Sequence, residues 1–575
     1  MKSPLPITSS ESHSPMSTAK NPVGPMSPFS GGETAVGFFA GAQNDKPEAL
    51  RGCPLSLRRL LALSLAATGI SLALAQRPDS SSAGIIDIGS RRELFVDEFL
   101  IDRLAGKAAL RLHQPVPREI AIEHDAPWEG SGSGYHSIFK DGDRYRMYYK
   151  AWQINPLHEA KVKGADAGHP LFCCYAESDD GVHWRKPDLG LHEFKGSKAN
   201  NIVMSGVTKE GVKFNAGHPA VFKDENPNAA PDARYKALFP GGKPKGLVPL
   251  KSHDGIHWSA MSTTPVITDG AFDSQNLGFW DGVRGEYRAY WRYFDQGTKA
   301  TPYVGTRSIR TATSKDFLHW ENEADLKYGD SVSEQLYTNQ VKPYHRAPHL
   351  LVGFPIRYID RDWSDSMRAL PEREHREMRA SASRRYGTAI TEGLFMTSRD
   401  GVNFKRWSEA FIRPGIEREG TWNYGHLGIA WHVVETKSAL AGAPDELSLY
   451  AVESYWTGNS SALRRYTLRM DGFASVQAPM SGGELLTKPL RFHGSRLALN
   501  FATSAAGSIR VEIQDLAGVP VPGFALDECP QIFGDTIDRA ISWGNRRDVS
   551  TLAGKPVRLR FELKDANVYA FRFFD

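Results

Sequence analysis

The chain has 575 residues, a net charge of +4 and a hydrophobic content of 41%. This hydrophobic content excludes a chain that is disordered throughout, and the near balance of charge excludes a nucleic-acid-coating protein, which needs a large basic excess. Aromatic residues make up 11% of the chain, beside 53 glycines and 35 prolines, which favours short strands and many turns over long helices.

The first 76 residues predict a leader rather than a folded domain. Residues 1 to about 50 are rich in Ser, Pro and Gly. The segment that begins at Leu57 and ends at Ala75 has two arginines, an uncharged apolar run and an Ala-Leu-Ala end, which is the layout of a secretory signal. An uncleaved anchor is the alternative, but the run is shorter than the roughly 20 residues of a membrane span. We therefore expect a mature chain that begins near Gln76, lacks a stable membrane span and works in the periplasm or as a secreted protein.

A seven-residue motif then recurs four times, with the template Ser-x-Asp-(Gly or Phe)-x-x-aromatic. The copies are SDDGVHW at 178–184, SHDGIHW at 252–258, SKDFLHW at 314–320 and SRDGVNF at 398–404. Its aspartate can accept backbone N–H groups across a tight turn, and glycine there relaxes the restriction on φ. The aromatic residue is expected to pack on a neighbouring sheet. We expect the aspartates to lie at the periphery and not to be catalytic.

Each copy follows three strand-like runs, and a fifth set of strands without the motif completes five units over about residues 125 to 472. Five sheets repeated radially predict a five-bladed β-propeller, with a row of separate sandwiches as the alternative. After residue 472 the motif disappears, and short alternating strands predict a β-sandwich. The predicted class is all-β: a five-bladed β-propeller followed by a C-terminal β-sandwich. The predicted domains are 1–76 (leader and signal), 90–475 (propeller) and 482–575 (sandwich).

Two phrases and the order of the domains resemble those of exported hydrolase-like propellers. The phrases are ELFVDEFLI at 93–101 and RRYTLRMDGF at 464–473. Over residues 90 to 575 the chain resembles the family 32 glycoside hydrolases and, more distantly, family 43. The resemblance implies a central funnel in which acids at the starts of inner strands hydrolyse a glycosidic bond. The family's W-x-N-D-P-N-G, R-D-P and E-C-P motifs are missing here, so its own acid triad cannot be carried over.

Three acids at or near inner-strand starts are the candidate catalytic residues. Asp273 is flanked by hydroxyl and amide residues, Glu129 lies in a glycine-rich loop, and Glu334 is the third. Hydrolysis needs two carboxylates in different protonation states, one as base or nucleophile and one as acid. A turn-capping or solvated acid is the structural alternative at each position.

Aromatic, histidine and amide side chains at equivalent strand starts are the candidate substrate-binding residues. Rings can stack on sugar C–H faces, and polar groups can bind hydroxyls, although packing in the propeller core is the alternative. These residues are Tyr135, His136, His218, Gln275, Asn276, Tyr337, Asn339, Trp422, Tyr424 and His426.

A polar stretch at 364–385, rich in arginine, predicts a helical insertion in blade 4. It is either a solvated surface or a cationic rim for an anionic glycan, sulfated or uronic. No phosphate-loop, zinc or paired-cysteine motif occurs, so no cofactor and no metal ligands are predicted. The expected function is hydrolysis of an oligo- or polysaccharide by an exported glycoside hydrolase-like protein, with a carbohydrate partner and no nucleic acid. A non-catalytic glycan-binding propeller and a glycan phosphorylase, which needs a cationic phosphate pocket, are the alternatives.

Overall fold

The computed structural model describes residues 84–159, 163 and 168–575. The predicted leader and signal segment lie outside the described residues. Within the described ranges the chain is nearly all β, and the five-bladed propeller followed by a C-terminal β-sandwich is confirmed. The strands before the first blade are β1 (Ile86–Gly89), β2 (Glu93–Leu94), β3 (Ile101–Gly106), β4 (Ala109–Leu112) and β5 (Val116–Glu123).

Each blade is a four-stranded antiparallel sheet. Blade 1 has β6 (Gly134–Asp141), β7 (Arg144–Ala151), β8 (Phe172–Ser178) and β9 (Ile202–Met204), with α1 (Pro156–Glu159) after β7. Blade 2 has β10 (Val221–Lys223), β11 (Tyr235–Gly241), β12 (Gly246–Ser252) and β13 (Trp258–Ala260), with a 3-10 turn at Pro231–Ala233. Blade 3 has β14 (Leu277–Asp281), β15 (Glu286–Phe294), β16 (Arg307–Ser314) and β17 (Trp320–Asp325).

Blade 4 carries the predicted helical insertion. Its strands are β18 (Lys342–Tyr344), β19 (Ala347–Gly353), β22 (Met396–Ser398) and β23 (Phe404–Arg406). Between β19 and β22 the hairpin is extended by β20 (Ile356–Asp360) and β21 (Ala389–Gly393), which enclose α2 (Asp365–Ala369), α3 (Arg373–Ala382) and α4 (Arg384–Thr388).

Blade 5 is closed by the N-terminal part of the chain. It contains β24 (Val434–Thr436), β25 (Glu446–Glu453) and β26 (Ala462–Arg469), and β5 is its fourth strand, pairing along β26. Joining the first propeller strand to the last blade covers a strand edge that would otherwise offer unpaired backbone groups.

The repeated motif forms the same hydrogen-bonded turn after the third strand of blades 1 to 4. In blade 1, Asp180 Oδ1 accepts from the backbone N–H groups of Val182 and His183 at 2.7 and 2.8 Å. Gly181 N–H donates to Ser178 Oγ at 2.9 Å, and the other three copies repeat these contacts. These aspartates lie away from the inner strands, as predicted.

The turns also join neighbouring blades. Tyr148 of blade 1 donates its hydroxyl to the carbonyl of Gly255 in the blade 2 turn at 2.9 Å. Tyr290 of blade 3 makes the same contact with Gly401 of blade 4 at 2.9 Å. Because each of these phenols is buried, its hydrogen bond fixes the spacing of adjacent sheets.

The C-terminal sandwich differs from the predicted range because the chain before the propeller joins it. Its strands are β27 (Ala474–Ala478), β28 (Gly483–Thr487), β29 (Leu490–Phe492), β30 (Arg496–Gln514), β31 (Asp535–Ala540) and β32 (Arg558–Phe574), with a 3-10 turn at Ser550–Leu552. Residues 93–112 were predicted within the propeller, but β2, β3 and β4 pair with β32, β28 and β27. Phe95 and Leu100 bury in the sandwich core, which explains this pairing.

The two phrases that carry the family resemblance lie where the sandwich meets the propeller. Glu93 pairs with Arg399 of blade 4 at 2.9 Å, and Asp471 pairs with Arg346 at 2.8 Å. Although burial opposes ionisation, His349, Arg399 and Arg91 lower the pKa of Glu93 to about 2. Glu93 and Asp471 therefore belong to buried structural ion pairs.

Two further features of the described residues complete the fold. Cys173, Cys174 and Cys529 are buried free thiols. No helix in the described ranges combines the length and apolar character needed to cross a membrane.

Candidate functional site

The centre of the propeller is closed by buried amides. Gln275 Nε2 donates to the carbonyl of Pro219 at 2.7 Å, and Gln275 Oε1 accepts from Gln340 Nε2 at 2.8 Å. Gln340 also donates to the carbonyl of Ile429 at 2.7 Å. These contacts link blades 2, 3, 4 and 5 at the starts of their inner strands, so the predicted sugar ligand Gln275 is engaged in closing the ring.

A small cavity of about 50 Å³ lies beside this closure, walled by tyrosines. Its aromatic lining residues are Tyr135, Tyr337, Tyr424 and Tyr455. Lys150, near the end of β7, is its one basic lining residue, and the lining includes no carboxylate. The volume admits a carboxylate-sized group or one or two waters but not a sugar ring, so a sugar would have to lie above it.

The ammonium of Lys150 is buried among rings without an acidic partner in the described chain. It donates to Tyr455 Oη at 2.8 Å and lies 4.8 Å from the centre of the Tyr135 ring and 5.0 Å from that of Tyr455. Burial lowers the pKa of Lys150 to about 7. The site therefore holds a desolvated amine whose protonated form an anionic ligand would stabilise.

Asp273 and Arg292 form an ion pair beside the tyrosines. The guanidinium of Arg292 lies 4.9 Å from the centre of the Tyr337 ring, and the Tyr303 hydroxyl bonds to Asp273. Burial would raise the pKa of Asp273, but Arg292 and His218 outweigh it and keep that pKa below its usual value. With 27% of its side chain exposed, Asp273 is an ionised carboxylate that solvent can reach.

Tyr337 and Tyr424 differ in acidity although their hydroxyls touch. Tyr424 donates to Tyr337 Oη at 3.0 Å. Burial raises the pKa of both phenols, but Arg292 over Tyr337 outweighs it, so the pKa of Tyr337 is lowered while that of Tyr424 is raised. Tyr337 is therefore the more acidic phenol of the funnel pair.

Two more arginines approach the same rings. Arg307 lies 4.5 Å from the centre of the Tyr358 ring and 5.7 Å from that of Tyr337. Arg385, from the helical insertion, lies 4.8 Å from the centre of Tyr386 and 5.9 Å from that of Tyr424. Of the arginines predicted as a cationic rim, Arg385 thus faces the funnel.

Several residues in and around the funnel have a left-handed backbone. Tyr135, Trp422, Ser454 and Trp456 have φ values of 51°, 57°, 55° and 64°. Such a conformation costs about 1–3 kcal/mol for a residue with a side chain and persists only where the surroundings enforce it. The strain supports a functional reason for the conformation of these four residues.

Glu129 is placed in a closed network rather than in the funnel cavity. Its side chain has 0% exposure, pairs with Lys186 Nζ at 2.6 Å and accepts from the backbone N–H of Ala126 at 2.9 Å. It also accepts from the Tyr149 hydroxyl. With donors on both oxygens and no access to solvent, Glu129 does not fit the role of a catalytic acid.

Glu334 is held by two arginines. One oxygen pairs with Arg357 at 2.8 Å and the other with Arg406. Its neighbour Gln335 bonds to Arg307 at 2.8 Å, so Glu334 lies close behind the funnel wall. The structure brings Asp273 to the funnel, and it engages Glu129 and Glu334 in ion pairs.

The predicted binding residues divide into two groups. Tyr135, Tyr337 and Tyr424 line the cavity, and the centre of the His218 ring lies 5.3 Å from that of Tyr135, with the two rings tilted. Four of the others are buried: His136 bonds to His124, Asn276 and Asn339 cap local turns, and His426 accepts from the backbone N–H of Trp422. Trp422 lies elsewhere and lines a depression of about 420 Å³ with Arg357 and Arg413.

Sequence reasoning missed Lys150, Arg292, Arg307 and Tyr455. Lys150 did leave a signal, because it is the one charged residue in the apolar and aromatic run Met147–Ala151 of β7. Charged residues are rarely fully buried unless they are paired, so such a lysine indicates a functional position. The two arginines and Tyr455 gave no such signal in the sequence, because only the closed ring of blades brings them together. Among the described residues no group of three or more His, Cys, Asp or Glu could hold a metal.

No protein-family model matches the chain, and no curated protein matches it. Solved structures are similar to it. A family 117 glycoside hydrolase from the marine bacterium Zobellia galactanivorans is 10% identical, with 63% of this chain and 90% of that one covered and a TM-score of 0.34. A glycosyl hydrolase from Bacteroides ovatus is 13% identical, with 63% and 96% covered and a TM-score of 0.31.

An N-acetylgalactosamine deacetylase from F. plautii, solved with blood group B trisaccharide, is 12% identical, with 65% and 95% covered and a TM-score of 0.36. The structure is thus similar to glycoside hydrolase-like propellers, as the sequence resemblance predicted. Membership of family 32 or 43 stays a prediction. Likenesses of this size concern the fold and carry no argument about activity.

Proposed function

We propose that the chain is a glycan-active protein that binds an anionic glycan in the propeller funnel. The observation that carries the proposal is the ammonium of Lys150, buried in a tyrosine-walled cavity without a carboxylate partner. A uronate or sulfate substituent would enter the cavity and supply the missing negative charge, while the sugar ring stacks on the tyrosines above. Arg307 and Arg385 add positive charge beside the rings, whereas the charge of Arg292 is matched by Asp273.

The chemistry that this site supports best is cleavage of a glycosidic bond beside Asp273. Because Asp273 is ionised and reachable by solvent, it suits a base, a nucleophile or a stabiliser of positive charge on the sugar. Glu129, the predicted partner of Asp273, and Glu334, predicted to assist, are both held in ion pairs. We assign the proton donor to Tyr337 instead, because its pKa is lowered and Arg292, the ion-pair partner of Asp273, lies against its ring.

Non-catalytic glycan binding is the second candidate, and the ion-paired state of all three predicted acids favours it. Phosphorolysis is a third outcome of the same experiment, because the cations around the funnel also suit inorganic phosphate. We also propose that the protein is exported. The sequence of the segment that ends at Ala75, which has the layout of a secretory signal, supports this.

The test is a matched panel of neutral, uronate-containing and sulfated polysaccharides, assayed for binding and for new reducing ends with and without phosphate. We expect binding to an acidic glycan, at least a tenfold loss in Lys150→Met, and no change in Lys140→Met, which removes an exposed lysine of the same blade. Asp273→Asn and Tyr337→Phe should keep binding and lose cleavage. Binding of neutral glycans alone would refute the anionic assignment, and cleavage that survives Asp273→Asn would refute the role of Asp273.

A further inference from the structure

The helical insertion of blade 4 buries two arginines on one face of α3. Arg376 and Arg379 are one turn apart and have 0% exposure. Arg376 donates to the carbonyls of Pro371 and Trp422 at 2.9 and 2.8 Å, and Arg379 donates to Asn423 Oδ1 at 2.9 Å. Their hydrogen bonds thus go to neutral oxygens, and neither forms an ion pair in the described chain.

Part of each guanidinium has no acceptor among the described residues. The donors without a partner are Arg376 Nη1 and Arg379 Nε and Nη1. A buried N–H group without an acceptor costs about 1–3 kcal/mol, and more when it is charged. Two such groups on one helix face, beside residues 421–423, are costly unless something supplies acceptors and negative charge.

The two arginines face one half-buried acid, Glu372, whose Oε2 is already engaged by the backbone N–H of Gly420 at 2.9 Å and by Asn423 Nδ2 at 3.1 Å. The exposed Glu417 acts more weakly, and on Arg376 alone, so one positive charge is in excess among the enclosed groups. Burial, and then Arg376, lower the pKa of Arg379 to about 9, so Arg379 remains protonated at neutral pH. His375 Nε2 donates to the carbonyl of Trp456, and burial lowers the pKa of His375, so this histidine adds no charge at neutral pH.

We propose that Arg376 and Arg379 bind one small monovalent inorganic anion, of the halide class, between α3 and the 421–423 segment. One negative charge neutralises the excess, and the free N–H groups provide its donors. Because both guanidinium groups are sealed from solvent, a sugar carboxylate or a sulfated chain cannot reach them. The site is therefore separate from the funnel and does not depend on the proposed glycan function. It would hold in place the segment that carries Trp422 and leads to Tyr424 of the funnel wall.

The first test measures thermal unfolding of the purified protein in chloride or bromide against gluconate at constant ionic strength. Since a ligand that binds the folded state alone stabilises it, we expect Tm to rise by about 2 °C between 1 and 150 mM chloride. Arg379→Met should abolish this rise. Arg373→Met is the matched control, because Arg373 is exposed on the same helix and pairs with Glu377, and it should keep the full rise.

A Tm that is the same in chloride and gluconate, or a chloride effect that persists in Arg379→Met, would overturn the proposal. Should Arg379→Met not fold, crystals of the unaltered protein grown in bromide decide the question. An anomalous peak within hydrogen-bond distance of Arg376 Nη1 and Arg379 Nη1 supports the site, and density without such a peak overturns it.

Discussion

Replacing Lys150 by methionine should stabilise the protein while it weakens glycan binding. In the folded chain burial lowers the pKa of Lys150 to about 7, against an ordinary value of 10.5. The folded state therefore binds this proton less tightly than the unfolded state does. The resulting destabilisation is fully present below pH 7 and fades as the pH rises towards 10.5. Each pH unit between the two pKa values contributes about 1.4 kcal/mol to this destabilisation. The folded state is therefore destabilised by about 4 kcal/mol at pH 7 and by under about 1 kcal/mol at pH 10.

Methionine keeps the apolar stem among the rings and removes the charge, so Lys150→Met should gain most of this free energy at pH 7 and little at pH 10. The assay is urea unfolding followed by tryptophan fluorescence at both pH values. Lys186→Met is the control with the opposite sign, because it leaves the buried Glu129 carboxylate unpaired and should destabilise the protein. A Lys150→Met protein that is less stable than the parent at pH 7, or whose difference from it is equal at both pH values, would refute the reasoning.

Three further predictions test the scaffold and the leader. Gln275→Leu should cost about 2–4 kcal/mol of unfolding free energy, because the buried carbonyl of Pro219 in blade 2 and the buried amide of Gln340 in blade 4 lose their partner. An unchanged denaturation midpoint would contradict the central ring of amides. Asp180→Ala should cost about 1–2 kcal/mol by removing the acceptor of two backbone N–H groups, whereas replacing its exposed neighbour in Asp179→Ala should leave stability nearly unchanged. N-terminal sequencing of protein recovered from a periplasmic fraction should begin near Gln76, and an intact leader there would contradict the cleavage site.

Local sequence accounts for the blades because their determinants are local. The Asp180 turn and its three copies satisfy their own backbone groups within seven residues, so the pattern is visible in the chain itself. Alternating strands and the loss of the motif after residue 472 likewise locate the sandwich. The position of residues 93–112 could not be read in this way, since Phe95 and Leu100 are apolar residues that either domain could bury.

The site was predictable only in part. Placement at inner-strand starts selected Asp273, Tyr135, Tyr337 and Tyr424, which lie together in the funnel region because strand starts converge in any propeller, while their roles stay a prediction. The same rule could not tell that Gln275 closes the centre, since that depends on carbonyls of other blades.

The sequence by itself determined the number of blades, the turn that ends their third strands and the sandwich that follows, because each depends on contacts within a few residues. Only the tertiary structure decided which charges face the funnel. Glu129 is matched by Lys186, which lies 57 residues further along the chain, while Lys150 is left without an acid among the rings. Whether a charge is paired or free is a property of residues that meet across blades, and in this protein that difference separates the scaffold from the site.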